Sequence, residues 1–131
     1  MGDKIFGEGI CPLNENQIVV LTWKNNVVYI LNQATLQVEQ TLSMFTGAKE
    51  GWGVTNFNHP ISKNNMLYVS DGTDKIFEIN GDTLKTVNAI SVKDEIGNPV
   101  TELNELEYSG GLIWANIWYS NDIIAIDPKS G

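Results

Sequence analysis

The chain has 131 residues, 42% hydrophobic and 18% charged; that apolar share excludes a disordered chain, which combines low hydrophobicity with high charge. Sixteen Asp and Glu stand against eight Lys and no Arg, a net charge of −8, so nucleic acid and anionic lipid, which need clustered cations, are poor partners. One Cys (Cys11) and one His (His59) exclude a disulfide framework and any Cys/His zinc site within one chain, and no metal or other cofactor is expected.

The length fits one domain. No run nears the roughly 20 apolar residues of a spanning helix, and no basic-then-apolar start marks a signal peptide. Short runs rich in Val, Ile, Tyr and Trp, bounded by Asn, Asp, Gly or Ser, predict strands. In chain order these cover 8–13, 17–23, 27–32 and 36–42, then 52–57, 66–70, 75–80 and 84–92, then 103–108, 112–118 and 122–127. Lys24-Asn25-Asn26, Asp71-Gly72-Thr73-Asp74 and Ser120-Asn121 supply hairpin turns, because Asn, Asp and Gly tolerate positive φ. Asp71–Asp74 lacks the spacing of a calcium loop. Ala, Leu, Glu and Lys never gather at helical spacing, so the fold class is all-β.

The strands repeat. Tyr29-Ile30-Leu31-Asn32-Gln33-Ala34-Thr35-Leu36 aligns with Phe77-Glu78-Ile79-Asn80-Gly81-Asp82-Thr83-Leu84 and with Ile124-Ala125-Ile126-Asp127-Pro128-Lys129-Ser130-Gly131. A second row aligns Glu8-Gly9-Ile10, Trp52-Gly53-Val54 and Asn104-Glu105-Leu106. A period near 45 with four antiparallel strands per unit is the signature of β-propeller blades. A β-sandwich is the alternative, but it does not need a self-similar sequence. The expectation is a single partial propeller over 1–131: blade one about 5–43, blade two about 51–92, and blade three about 103–131 without its outer strand.

In a propeller the first strand of each blade lines the axis, so equivalent positions converge on one mouth. That row is Glu8, Trp52 and Asn104; Trp23 and Trp118, at similar spacing after Glu8 and Asn104, are placed on the second strands. Aromatic walls with a few orienting polar groups make a pocket. Taken singly, a Trp in a sheet is more often core packing, and Trp114, alternating with Trp118, reads as core beneath it. Cys11 reads as a small buried hydrophobe. His59, before Pro60, reads as solvent-facing.

Phe6-Gly7-Glu8-Gly9-Ile10, Leu21-Thr22-Trp23, Gly51-Trp52-Gly53-Val54, Ser70-Asp71-Gly72, Leu103-Asn104-Glu105-Leu106-Glu107-Tyr108 and Trp114-Ala115-Asn116-Ile117-Trp118 occur in this order along nearly the whole chain. In these motifs the sequence resembles the plant and bacterial glutamine cyclotransferases. The resemblance implies a five-bladed propeller that converts N-terminal Gln of peptides or proteins to pyroglutamate with loss of ammonia, without zinc. It implies Glu8 as general acid and base and Asn104 as hydrogen-bond donor to the substrate amide or oxyanion. Phe6, Trp23, Trp52 and Trp118 then form the box around the Gln side chain. Glu105 and Glu107, on the opposite face by strand alternation, are assigned supporting roles. Plant and bacterial members are commonly secreted or exported, which implies a secreted or periplasmic location.

The family pattern also includes an earlier blade reading F-T-Q-G-L and later blades with N-G-I-A and a site Lys; these have no counterpart here. Met1-Gly2-Asp3-Lys4 reads as an abrupt start. Open blade edges invite pairing, so a homo-oligomer is expected. A noncatalytic propeller piece, acting as a binding or scaffold module or self-assembling into a closed ring, is the alternative function. A carbohydrate-binding propeller, with Trp118 and Tyr119 stacking on sugar, is a third reading.

Overall fold

The computed structural model describes residues 4–57 and 65–131. Met1–Asp3 and 58–64, including His59 and Pro60, lie outside the described residues.

One Asx turn, repeated in each unit, explains the sequence repeat. Asn32 Oδ1 accepts from the N–H groups of Ala34 and Thr35 at 3.0 and 3.1 Å. Asn80 Oδ1 accepts from Asp82 and Thr83 at 3.0 and 2.9 Å, and Asp127 Oδ1 from Lys129 at 2.8 Å. Such side chains replace a backbone partner and close the turn. Four residues after each, the backbone is left-handed: Leu36 and Leu84 have φ 55° and Gly131 φ 87°. Their N–H groups donate to the carbonyls of Asn32, Asn80 and Asp127 at 2.8, 2.7 and 2.9 Å. A strand cannot start on a left-handed residue, so the fourth strand begins at Val38 and not at 36 as expected.

Eleven strands are present among the described residues: β1 (Gly7–Pro12), β2 (Gln17–Thr22), β3 (Val27–Asn32), β4 (Val38–Ser43), β5 (Val54–Phe57), β6 (Met66–Ser70), β7 (Lys75–Asn80), β8 (Lys85–Ser91), β9 (Leu103–Ser109), β10 (Leu112–Ile117) and β11 (Ile123–Ile126). They form three antiparallel sheets in the orders β1-β2-β3-β4, β5-β6-β7-β8 and β11-β10-β9. Every neighbour is consecutive in sequence, so each sheet is a meander, as a blade must be.

The middle sheet is buried on both faces. Leu67 and Val69 of β6 and Ile79 of β7 join Val19, Leu21, Val28 and Ile30 of the first sheet. Tyr68 and Ile76 face the other way and join Leu103, Leu106, Ile113 and Ile126 of the third. Successive side chains on a strand point to opposite faces, so a nearly unbroken apolar run such as Met66–Ser70 serves two cores. Three sheets stacked in series exclude the two-sheet sandwich.

The inner strands approach backbone to backbone. Gly9 N donates to Trp52 O at 2.7 Å. A Cβ on Gly9 would lie 2.7 Å from Val54 N, and one on Gly53 would strike Asn104 O and lie 2.7 Å from Glu105 Cα. Ser70 links the same seam: its hydroxyl accepts from Gly53 N at 2.8 Å and donates to Asn104 O at 2.6 Å. This close stacking brings the ends of β1, β5 and β9 to one mouth.

Candidate active site

Six positions predicted from the repeat and the motifs surround one cleft. Phe6 precedes β1 and Glu8 lies within it; Trp23 follows β2; Trp52 precedes β5; Asn104 lies in β9; Trp118 follows β10. With Tyr119 they line a cleft of about 290 Å³. That is at the small end of the roughly 300–1,000 Å³ of ligand pockets. Backbone hydrogen bonds hold the three tryptophans: Trp23 N to Phe6 O at 3.1 Å, Trp52 N to Ser70 O at 3.0 Å and Trp118 N to Glu102 O at 2.9 Å. Trp23 and Trp118 thus occupy equivalent places, just past their strands rather than on them as expected.

The rings meet edge to face, the arrangement favoured by aromatic quadrupoles. Phe6 and Trp23 are 6.0 Å apart at 66°, and Trp52 and Trp118 are 6.3 Å apart at 75°. Trp118 and Tyr119 are 5.0 Å apart at 62°. Glu50 Oε2 accepts from Trp52 Nε1 at 3.1 Å, which fixes that ring. Gly72, at φ 81°, lies against it; a Cβ there would come within 2.6 Å of the indole. Lys24 Nζ sits 4.1 Å from the Trp23 ring centroid, a cation–π contact at the rim.

The polar groups of the cleft are uncommitted. Among the described residues neither the Glu8 carboxylate nor the Asn104 side-chain amide has a hydrogen-bond or ion-pair partner. Burial lifts the Glu8 carboxyl above its ordinary 4.5. Glu105 is also raised, by burial first and then by the charges of Glu8 and Glu107, against the lowering effect of the Leu106 N–H. Low-dielectric surroundings disfavour the charged form. Among the described residues no group of three or more His, Cys, Asp or Glu side chains is placed to hold a metal ion.

Strand alternation misplaced Trp114. The β9–β10 register shifts between Ala115 and Ile117, so Asn104 and Glu105 together face Asn116, whose Oδ1 accepts from Glu105 N at 2.9 Å. Glu105 does not line the cleft, yet it is near enough for the Glu8 charge to add to its rise. Trp118 lies past the end of β10, so it does not continue the strand face of Trp114. Trp114 is 41% exposed, outside the cleft, with Nε1 donating to Ser109 O at 3.3 Å, and it is not core. Sequence reasoning also missed Glu50 as the partner of Trp52, and Tyr119 as part of this wall.

The glutamine cyclotransferase family model matches residues 1–131. The chain belongs to the glutamine cyclotransferase family. It is 30% identical over its full length to glutaminyl-peptide cyclotransferase of Arabidopsis thaliana. It superposes on the crystal structure of Myxococcus xanthus glutaminyl cyclase with a TM-score of 0.82 and 34% identity, over 98% of this chain. The chain spans 38% of the plant relative and 51% of the bacterial one. The partial-propeller architecture of a glutaminyl cyclase fold follows from this match.

Proposed function

We propose that the cleft binds the N-terminal Gln of a peptide and cyclises it to pyroglutamate with release of ammonia. The uncommitted carboxyl of Glu8, which lines one cleft with three tryptophans and the equally uncommitted amide of Asn104, carries this reading. Family membership supports the reaction class.

The α-amine nitrogen attacks the γ-carboxamide carbon of the same residue. Holding the side chain folded inside the Phe6, Trp23, Trp52 and Trp118 walls makes this an oriented intramolecular step, where much of the rate arises. A C–N bond forms and the carbonyl oxygen becomes an oxyanion, which Asn104 Nδ2 stabilises by donation. Glu8 accepts a proton from the attacking nitrogen. It returns that proton to the departing nitrogen as the old C–N bond breaks, so charge and protons balance. A carboxyl raised by burial is a better shuttle near neutral pH than an ordinary one.

Ammonia release from a Gln-initiated peptide tests the proposal. Glu8→Gln is expected to lower kcat by about a hundredfold or more, and Asn104→Ala by about a hundredfold. Unchanged release by folded Glu8→Gln protein would overturn the assignment of Glu8.

A further inference from the structure

We infer that Tyr119 forms a subsite for the side chain of the second residue of the substrate peptide and favours an apolar or aromatic residue there. The inference rests on the reading of the cleft as an N-terminal Gln site.

Three aromatic rings lead out of the cleft in order of exposure. Trp52 is half-buried; Trp118, 6.3 Å from it, is 46% exposed; Tyr119, 5.0 Å from Trp118, is 94% exposed. Cyclisation needs the α-amine and the γ-carboxamide of Gln beside Glu8. The peptide must therefore leave through the mouth, and the first side chain outside the reacting residue meets the outermost ring. That ring offers an apolar face at the rim, where an exposed tyrosine has no core to serve.

Its backbone supports a dedicated role. Ser120 N donates to Ile117 O at 3.1 Å, closing a turn over Ile117–Ser120 with Tyr119 at φ 61°. Positive φ at the third position of such a turn favours Gly or Asn. In the matching β2–β3 and β6–β7 hairpins the left-handed residues are Asn26 (φ 55°) and Gly72 (φ 81°). Only the β10–β11 hairpin puts a bulky aromatic in that conformation. The left-handed Leu36 and Leu84 differ, because they recur at one repeat position while Tyr119 does not. Local strain held in a site wall points to use in that site. Ser120 and Asp122 hold the turn: Ser120 Oγ donates to Asp122 Oδ2 at 2.6 Å and accepts from Asp122 N at 3.1 Å.

The test compares Gln-Phe-amide with Gln-Gly-amide in the unaltered protein, Tyr119→Phe and Tyr119→Gly. Glycine suits the left-handed backbone, so the last variant keeps the turn. Two readouts are taken: kcat/KM for ammonia release, and Kd from quenching of tryptophan fluorescence. The unaltered protein is expected to prefer Gln-Phe-amide by roughly two- to tenfold beyond any preference left in Tyr119→Gly, the worth of one aromatic pair. Tyr119→Phe retains that preference. An equal ratio in all three proteins would overturn the inference. Absent turnover with a ring-dependent Kd ratio would sink the catalytic proposal and leave the subsite standing. Failure of both peptides to bind would overturn both.

Discussion

Glu8 and Glu105 share one electrostatic neighbourhood but have different surroundings. Glu8 opens to the cleft with no partner among the described residues, whereas Glu105 N is tied to Asn116. Both carboxyls are raised in the folded chain, so the folded state binds more protons than the unfolded state between the two sets of pKa values. The contribution of these two groups to stability therefore falls as pH rises from the ordinary 4.5 through the raised values, and then levels. Glu105→Gln removes part of that penalty and is expected to raise the denaturant midpoint at pH 7 more than at pH 4. An equal change at both would contradict the shift. The proposed reaction runs with the opposite sign: Glu8 would accept a proton only when ionised, so kcat/KM should fall in acid with a midpoint above 4.5. Cys11, 8% exposed and pushed up to about 12 by burial and by Glu105 and Glu107, is expected to resist thiol reagents until the chain unfolds. Rapid labelling of the native protein would contradict its core placement.

At the scale of elements, the seam between blades depends on glycine. Gly53 leaves no room for a Cβ against the β9 backbone, so Gly53→Ala forces the two sheets apart. Overpacking of this kind costs about 1–3 kcal/mol, readable as a lower denaturant midpoint; an unchanged midpoint would mean that the inner strands are not in contact. The strands were legible because Asn, Asp and Gly punctuate them and because the Asx turns of Asn32, Asn80 and Asp127 recur. The cleft was legible for a related reason: repeat-equivalent residues and motifs of one family pointed to the same mouth. What alternation could not give was Trp114 and Tyr119. Their positions depend on where β10 ends and on the turn after it, which no pattern in the side chains announces. Trp52's tie to Glu50 was hidden differently, because a Glu two residues from a Trp carries no periodic signal.

For the whole molecule, the edges differ in character. The outer strands β4 and β8 carry Glu39, Gln40, Lys85 and Asn88, polar side chains that discourage pairing. β11 reads Ile-Ile-Ala-Ile, pairs only with β10 among the described residues, and leaves Ile123 69% exposed. The chain carries a net charge of −8. The charge itself is spread over the surface, and Glu8 is the carboxylate assigned chemistry. The most direct measurement is therefore mass spectrometry of a Gln-initiated peptide incubated with the protein and with Glu8→Gln. The account predicts conversion to a product lighter by one ammonia with the first and none above the spontaneous rate with the second. Equal conversion by both, or none by either, would contradict it.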